Sequence, residues 1–212
     1  MSSCTVRVVL FDFGGVIAEE GFRLGLHEIA RSNDLDPEAF ASHARRALHT
    51  TGYLTGKASE TRYWQALRDQ TGIRGSDEDL RDMILSRFVL RDWMIDILKR
   101  MKSLSLRLVI VSDQTNWLDE LEERDHFFDL FERVFNSYHV GRSKHDEHLF
   151  RDVLDELCID AGDALFVDDT LEHVDRARRA GINTIWYTGK EAFLKEIATY
   201  CPGISTPGQS TP

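Results

Sequence analysis

The sequence predicts an α/β fold in which helices cover both faces of a parallel β-sheet. Short runs rich in Val, Ile, Leu and Phe have the composition of fully buried strands, and amphipathic segments of helical period separate most of them. One interval of about seventy residues near the N-terminus contains only helical patterns. These observations predict a parallel-sheet core with an inserted α-helical domain.

Five runs are expected to form the strands of the sheet. In chain order they cover residues 6–11, 106–111, 134–136, 164–167 and 183–187. Because helical segments lie between most of them, the expected arrangement is a doubly wound, Rossmann-like sheet.

Local signals predict several helix ends. Asp36 followed by Pro37 is typical of a helix N-terminus, since an N-cap carboxylate and a proline in the first turn both favour one. Gly181, after "HVDRARRA", is typical of a helix C-terminus that leads into a strand. Helical spacing also relates Trp93, Ile97, Leu98 and Met101.

The helical interval divides the chain into two domains. We expect an α/β core formed by residues 1–17 and 89–200, and a helical cap formed by residues 18–88. Within the cap, "HTTGYLTGKAS" at 49–59 has loop signals that separate two helical stretches. Residues 201–212 hold three of the four prolines and show no strong periodicity, so we expect them to form a disordered tail.

Composition and charge limit the partners. The 212 residues carry a formal net charge of -10, which disfavours nucleic acid and anionic membrane surfaces. The apolar N-terminal stretch contains Arg7 and Asp12 and does not resemble a signal peptide or a membrane span. A small soluble ligand is the remaining expectation, and an anionic one would need a local positive centre or a metal. The oligomeric state stays open.

The cysteines give an expectation about the compartment. Cys4, Cys158 and Cys201 are odd in number and lack the spacing of metal ligands. Disulfides persist mainly in oxidising compartments. We therefore expect no disulfide framework and a reducing, cytoplasmic location.

Polar side chains follow three of the predicted strands, at the edge where such sheets bind ligands. Asp12 follows the first strand, Ser112 the second, and the pair Asp168 and Asp169 the fourth. Three carboxylates at one edge repel one another unless a cation lies among them, and oxygen ligands suit Mg²⁺. The pattern therefore predicts a magnesium site.

Each of these residues also has an ordinary explanation. An Asp pair often forms a turn or caps a helix, and a hydroxyl such as that of Ser112 often caps one too. Lys144, in "VGRSKHDEHLF", would by itself be a solvated loop lysine. Next to Asp12, however, its ammonium would neutralise phosphate oxygens and reduce repulsion among the acids.

The first strand with its acid, the serine, the lysine and the Asp pair follow one another along the chain as they do in the haloacid dehalogenase (HAD) superfamily of phosphatases, and the sequence resembles that superfamily. The resemblance rests on "FDFGGVI" at 11–17, "VIVSD" at 109–113, Lys144 in "GRSKHDEHLF", and "LFVDDTLEHVDRARRAGINTIWY" at 165–187. It spans almost the whole chain apart from the tail. The segment "GKASETRYWQAL" at 56–67 is similar to the cap of the subgroup that contains the soluble epoxide hydrolase N-terminal phosphatase and sugar-1-phosphate phosphatases.

The resemblance implies a HAD-like core with a helical cap, and a Mg²⁺-dependent phosphatase acting on a small phosphorylated metabolite. Asp12 would attack phosphorus to form an aspartyl phosphate, which water then hydrolyses. The implied catalytic side chains are Asp12, Ser112 and Lys144. The implied phosphate-binding residues are Gly14, Gly15, Ser112 and Lys144. The implied metal ligands are Asp12, the Gly14 carbonyl, Asp169, and Asp168 either directly or through water.

Gly14 departs from the family pattern. Most phosphatases of the family have an aspartate there, which serves as general acid for the leaving group and then as general base for water. One explanation is a leaving group that needs little proton assistance, such as that of an acyl phosphate or a sugar 1-phosphate. A second is another acid, such as Glu19, Glu20 or His49. The third is a protein that binds a phosphate ligand with little or no turnover.

Two smaller departures lie next to the same motifs. Asp113 stands where many relatives have asparagine, and His145 stands where proline commonly follows the lysine. A dehalogenase of the same superfamily is another alternative. Such enzymes usually have an aromatic residue at the Gly14 position and lack the pair Asp168 and Asp169, so both features count against it.

Overall fold

The computed structural model describes residues 4–204 and confirms the α/β fold with a parallel sheet. Within these residues, five parallel strands form one sheet in the order β3-β2-β1-β4-β5. Their bounds are Val8–Phe11 (β1), Arg107–Ser112 (β2), Arg133–Asn136 (β3), Ala164–Asp168 (β4) and Asn183–Trp186 (β5). Each strand lies on a run predicted from the sequence, because apolar runs of this length suit burial between helices.

Four helices lie between β1 and the rest of the core, in the interval predicted to be helical. They are α1 (Gly21–Ser32), α2 (Pro37–Thr51), α3 (Glu60–Thr71) and α4 (Asp77–Leu85). The other helices are α5 (Asp92–Ser103), α6 (Trp117–Asp125), α7 (Ser137–Val140), α8 (Leu149–Leu157), α9 (Leu171–Arg179) and α10 (Lys190–Tyr200). Among the described residues, none of these helices has the length and hydropathy needed to cross a bilayer.

The predicted helix ends have clear physical causes. Asp36 caps α2 by accepting a hydrogen bond from the Ala39 N–H at 2.8 Å, and Pro37 is the first helical residue. Gly181 follows α9 with φ of +86°, a conformation that favours glycine. The predicted loop at 49–59 begins later than expected, because α2 continues to Thr51 before a 3-10 turn at Tyr53–Thr55.

The sheet separates two apolar layers. Val8 and Leu10 of β1 contribute to a layer with α8 and α9, whereas Val9 and Phe11 contribute to a larger layer with α5, α10 and the cap helices. Phe11 pairs with Ile110 of β2 and with Val167 of β4, so the residues after these strands meet at one edge of the sheet.

Hydrogen bonds join the cap to the core beside this edge. Tyr53, in the 3-10 turn after α2, donates its hydroxyl to Oδ1 of Asn116 at 2.6 Å. Ser137, at the start of α7, donates its hydroxyl to the carbonyl of Leu54 at 2.9 Å. The loop of the cap is therefore fixed against the polar edge of the sheet.

The structure corrects the predicted start of the disordered tail. Pro202–Ile204 form a 3-10 turn, and Cys201 and Ile204 are buried. Ile204 belongs to the larger apolar layer, which explains why these residues are ordered. The rest of the predicted tail, 205–212, lies outside the described residues.

The expectation of no disulfide is wrong for one pair of cysteines. Cys4 and Cys201 form a disulfide between the two ends of the described chain. Thr5 N–H donates to the Tyr200 carbonyl at 2.8 Å and brings these ends together. Cys158 is the exposed cysteine that makes the count odd. The pairing joins residues 197 positions apart, which spacing along the sequence does not reveal.

Candidate active site

Asp12 lies at the centre of a buried polar cluster directly after β1. Its Oδ1 accepts hydrogen bonds from the Ser112 hydroxyl at 2.6 Å and from the Phe13 N–H at 2.7 Å. The Nζ of Lys144 lies 2.9 Å from the same oxygen and 2.6 Å from Oδ2 of Asp168. The structure thus brings together side chains that the sequence predicts at the ends of three strands.

Lys144 is a buried cation, with a side chain that is 1% exposed. Burial alone would lower its pKa, but the carboxylates of Asp12 and Asp168 outweigh burial and hold the pKa above its ordinary value. Its backbone N–H donates to Oδ1 of Asp113 at 2.8 Å, which fixes the loop that carries it. The explanation as a solvated loop lysine is therefore wrong.

The pKa values of Asp12 and Asp168 depart from their ordinary values in opposite directions. Burial raises the pKa of Asp12, and Lys144 only partly offsets it. Burial also acts to raise the pKa of Asp168, but Lys144 and His173 outweigh it and the net pKa is lowered. Asp168 is therefore the firmly ionised member of the pair.

His173 is a partner of Asp168 that sequence reasoning missed. Its Nδ1 lies 3.2 Å from Oδ2 of Asp168, and because a carboxylate only accepts, Nδ1 carries the proton. The other oxygen of Asp168 accepts the Thr170 N–H at 2.7 Å. His173 lies in the first turn of α9, so its position shortly after the strand-end acid was the available signal.

Asp169 lies above the glycine turn that follows β1. A Cβ at Gly15 would lie 2.0 Å from Oδ2 of Asp169, and Gly15 has φ of +81°, so only glycine fits there. Burial, with added repulsion from Asp12 and Asp168, raises the pKa of Asp169 to about 6. The indole of Trp186 donates to the Asp169 carbonyl at 2.9 Å, which holds this segment in place.

The three acids form a donor set that could hold a metal ion. One carboxylate oxygen from each of Asp12, Asp168 and Asp169 lies within 4.8 Å of the others. An all-oxygen set of this kind suits Mg²⁺, which also takes ligands from water and substrate. Two of the three pKa values are raised, so a cation would relieve unfavourable charge that the protein leaves uncompensated.

A second group of possible ligand atoms lies on the wall of the same cleft. Atoms of Asp113, His145 and His173 lie within 4.8 Å of one another. The Arg176 guanidinium, however, is 3.3 Å from Nδ1 of His145, and a guanidinium can only donate. His173 is likewise bound to Asp168, so hydrogen bonds account for the position of these residues without a metal.

The acids open into a cleft of about 360 Å³ between the core and the cap. Asp12, Gly14, Lys144 and Asp169 line it from the core. The cap residues that line it are Glu20, Phe22, Arg23, Arg45, Leu48, His49 and Leu54. The cap therefore covers the candidate nucleophile and supplies both apolar and basic groups to the space where a substrate would lie.

Two side chains lie close to the position that a side chain at Gly14 would occupy. A Cβ at Gly14 would lie 3.2 Å from the Phe88 ring and 3.4 Å from the amide nitrogen of Gln114. Phe88, at the end of the cap, was not foreseen, because an isolated aromatic residue gives no sequence signal of its own. Glu20 and His49, two of the predicted replacement acids, line the cleft, whereas Glu19 is absent from its lining.

This chain is similar to known proteins in part of its sequence and in its fold. A drimenol cyclase of Aspergillus calidoustus is 35% identical over 68 residues, which are 32% of this chain and 13% of that enzyme. This chain thus spans a small part of the curated relative. A HAD family enzyme of Bacteroides thetaiotaomicron, solved with magnesium and inorganic phosphate, aligns with a TM-score of 0.67 at 20% identity, covering 87% of this chain and 94% of that one.

Dehalogenases share the fold as well. The L-2-haloacid dehalogenase of Xanthobacter autotrophicus aligns with a TM-score of 0.63 at 17% identity, over 98% of this chain and 85% of that one. These solved structures establish the shared fold.

A family model described as haloacid dehalogenase-like hydrolase matches residues 6–181. Since that match covers most of the sequence, the chain belongs to the haloacid dehalogenase-like hydrolases.

Proposed function

We propose that this chain is a Mg²⁺-dependent phosphatase that hydrolyses a small phosphorylated metabolite through an aspartyl phosphate on Asp12. The observation that carries the proposal is the buried contact of Asp12 with Ser112 and Lys144, beside Asp169, at the floor of a cleft. A nucleophilic carboxylate, a hydroxyl donor and a buried ammonium are the groups that phosphoryl transfer requires. The magnesium and phosphate bound by the Bacteroides enzyme support this proposal.

The reaction has two steps in this proposal. In the first, an oxygen of Asp12 forms a bond to phosphorus while the bond from phosphorus to the leaving oxygen breaks. In the second, water attacks phosphorus, the bond to Asp12 breaks, and phosphate leaves. Lys144 and Ser112 would neutralise and orient the phosphoryl oxygens, with the backbone amides of Gly14 and Gly15.

The metal ligands in this proposal are Asp12, the Gly14 carbonyl and Asp169. Mg²⁺ would supply positive charge that stabilises the phosphoryl oxygens in the transition state. Both oxygens of Asp168 already accept hydrogen bonds, one from Thr170 and the other from Lys144 and His173. Contact of Asp168 with the metal through water therefore agrees better with its surroundings than direct contact.

Two other functions use the same residues. A phosphate-binding protein without turnover would follow from the lack of a side chain at Gly14. A dehalogenase would use Asp12 to displace halide without a metal, and this chain shares its fold with a haloacid dehalogenase. The convergence of Asp12, Asp168 and Asp169 favours the phosphatase, because a site without a metal would leave their mutual repulsion uncompensated.

Hydrolysis of p-nitrophenyl phosphate tests the proposal, since its leaving group needs no proton. We expect activity that requires Mg²⁺ and falls at least about a thousandfold in Asp12→Asn. Asp96→Asn, at an exposed position of α5, is the matched control and should keep full activity. A broad screen of phosphorylated metabolites on the wild type then identifies the substrate.

Three outcomes would contradict the proposal. Activity in the wild type no greater than in Asp12→Asn would exclude a phosphatase, and phosphate binding measured by calorimetry would then indicate a binding protein. Halide release from 2-haloacids in the presence of EDTA would indicate a dehalogenase. Hydrolysis that persists after metal removal would exclude the metal-dependent mechanism.

A further inference from the structure

The chain after β1 turns back and passes beside Gly14. The N–H groups of Ile17 and Ala18 both donate to the Phe13 carbonyl, at 2.9 and 3.0 Å. Gly14 and Ala18 then pair as an isolated parallel bridge. Glu20 follows two residues later and lines the same cleft as Asp12 and Gly14.

A single aromatic ring links the position of Gly14 to that of Glu20. The Phe88 ring lies 3.2 Å from a Cβ placed at Gly14 and 2.5 Å from a Cβ placed at Gly21, the residue after Glu20. A side chain at Gly14 would require this ring to shift by a few tenths of an ångström. The carboxyl-bearing residue Glu20, on the neighbouring segment, already lines the cleft without such a shift.

The carboxyl group of Glu20 is fixed and half-buried. Its Oε2 accepts the Arg23 N–H at 2.8 Å and caps α1. Burial raises the pKa of Glu20, with a small addition from Asp12, and this exceeds the lowering by Arg23 and Arg45. A raised pKa suits a carboxyl group that must carry a proton near neutral pH.

The neighbouring acid is unsuited to this role. Glu19 forms two hydrogen bonds with Arg91, at 3.0 and 2.9 Å, and these lower its pKa. His49, on α2, is the remaining alternative, and the centroid of its ring lies 5.4 Å from that of the His145 ring. Glu20 is therefore the acid that combines a fixed direction, partial burial and a position in the cleft that Gly14 also lines.

We propose that Glu20 is the general acid and base of the site, in place of the side chain that Gly14 lacks. The inference rests on the proposed phosphatase function. As Asp12 forms its bond to phosphorus and the leaving oxygen departs, Glu20 gives its proton to that oxygen. As water attacks the aspartyl phosphate, the Glu20 carboxylate takes a proton from water, which restores both side chains.

Glu20→Gln tests this role, because the amide keeps an oxygen for the helix cap but cannot transfer the proton. For an alkyl phosphate we expect kcat/KM to fall by about 10²- to 10⁴-fold. For p-nitrophenyl phosphate, which needs no acid, kcat/KM should change by less than about tenfold. Its kcat should fall, and a burst of nitrophenolate should appear, because hydrolysis of the aspartyl phosphate becomes slow.

Glu19→Gln is the matched control, and it should change kcat/KM for the two substrates equally and by little. Thermal melts should show that both variants fold. An equal fall in kcat/KM for both substrates without a burst would overturn the role of Glu20, as would an unchanged alkyl phosphatase. The selective loss appearing in His49→Gln instead would assign the role to His49. A wild type that hydrolyses neither substrate would overturn the proposed function itself, which separates the two failures.

Discussion

The three carboxylates of the site differ in how far the protein neutralises them. Asp168 contacts both Lys144 and His173, and its pKa is lowered. Asp12 shares Lys144 and keeps a raised pKa. Asp169 lies against the Gly15 turn, and burial raises its pKa to about 6. The charge that remains uncompensated is therefore concentrated where a bound cation would lie.

Asp169 should couple the stability of the protein to pH and Mg²⁺. Its pKa of about 6 exceeds the ordinary value of 3.8, so without metal the folded protein binds the extra proton and stability falls as pH rises between these values. Mg²⁺ binds the ionised carboxylate and removes this cost. We expect the gain in unfolding free energy caused by Mg²⁺ to be small at about pH 5 and complete at about pH 7.5. Urea denaturation with and without Mg²⁺ measures this gain.

Asp169→Asn is the control for this coupling. The neutral amide has no ionisation cost, so at about pH 7.5 the metal-free variant should be at least as stable as the metal-free wild type. Mg²⁺ should then add little stability to the variant. A gain from Mg²⁺ that is equal at both pH values, or that survives in Asp169→Asn, would contradict the assignment of this residue to the metal.

Part of the residue-level picture could be predicted from the sequence. Parallel strands deliver the residues after them to one edge, so the convergence of Asp12, Ser112 and the acid pair follows from their positions. Lys144 depends on a loop whose path has no such rule, and its place came from the family resemblance. His173 and Phe88 were missed, because their contacts arise from packing between segments distant in sequence.

At the scale of elements, the turn between β1 and α1 determines the shape of the site. It places Gly15 under Asp169 and directs the Gly15 carbonyl to the Arg91 guanidinium at 2.6 Å. Arg91 also binds Glu19 and the Tyr187 hydroxyl, so one side chain joins the turn to the start of α5 and to the end of β5. Arg91 therefore fixes the turn to α5 and to the residue that follows β5.

Gly15→Ala should therefore damage metal binding more than folding. The new methyl group would lie 2.0 Å from Asp169 Oδ2 and displace that carboxylate. We expect Mg²⁺ affinity, measured by calorimetry, to fall about tenfold or more. The left-handed backbone of the new alanine should separately lower the unfolding free energy by about 1–2 kcal/mol. The decrease in Mg²⁺ affinity would connect the turn directly to the metal site.

Gly72→Ala provides a matched comparison for this turn. Gly72 has φ of +74° but no atom within 4 Å of a new Cβ, so the variant has the same backbone strain without the clash. It should lose about 1–2 kcal/mol of stability and keep wild-type Mg²⁺ affinity. Equal Mg²⁺ affinities in the two variants would show that the contact of Gly15 with Asp169 is unimportant.

The strands and the helical interval were predictable because their signals are local. Apolar runs and Asp36-Pro37 depend on a few adjacent residues, and all have the expected structure. The structure at the C-terminal end of the described residues was not predictable, because burial of Ile204 depends on surface supplied by distant elements. For the same reason the local pattern does not reveal that Trp186, at the end of β5, is 45% exposed and donates to the Asp169 carbonyl.

At the scale of the whole molecule, the core is assembled from segments before and after the cap. β1 lies at the centre of the sheet, between β2 and β4, although the cap helices separate it from both in sequence. The N-terminal segment must therefore be held to the C-terminal part for the site to exist. Sheet pairing provides one link, and the Cys4–Cys201 disulfide provides another.

Reduction of this disulfide should lower global stability. It closes a loop with a sequence separation of 197 residues, and long closed loops restrict the unfolded chain most. We expect a reductant to decrease the unfolding free energy by about 2–4 kcal/mol, measured by urea denaturation. Cys201→Ser should be similarly destabilised and insensitive to reductant, whereas Cys158→Ser, at an exposed position, should respond as the wild type does. Titration of three free thiols in the unreduced, denatured protein would contradict the pairing, because a single free thiol is expected once Cys4 and Cys201 are joined.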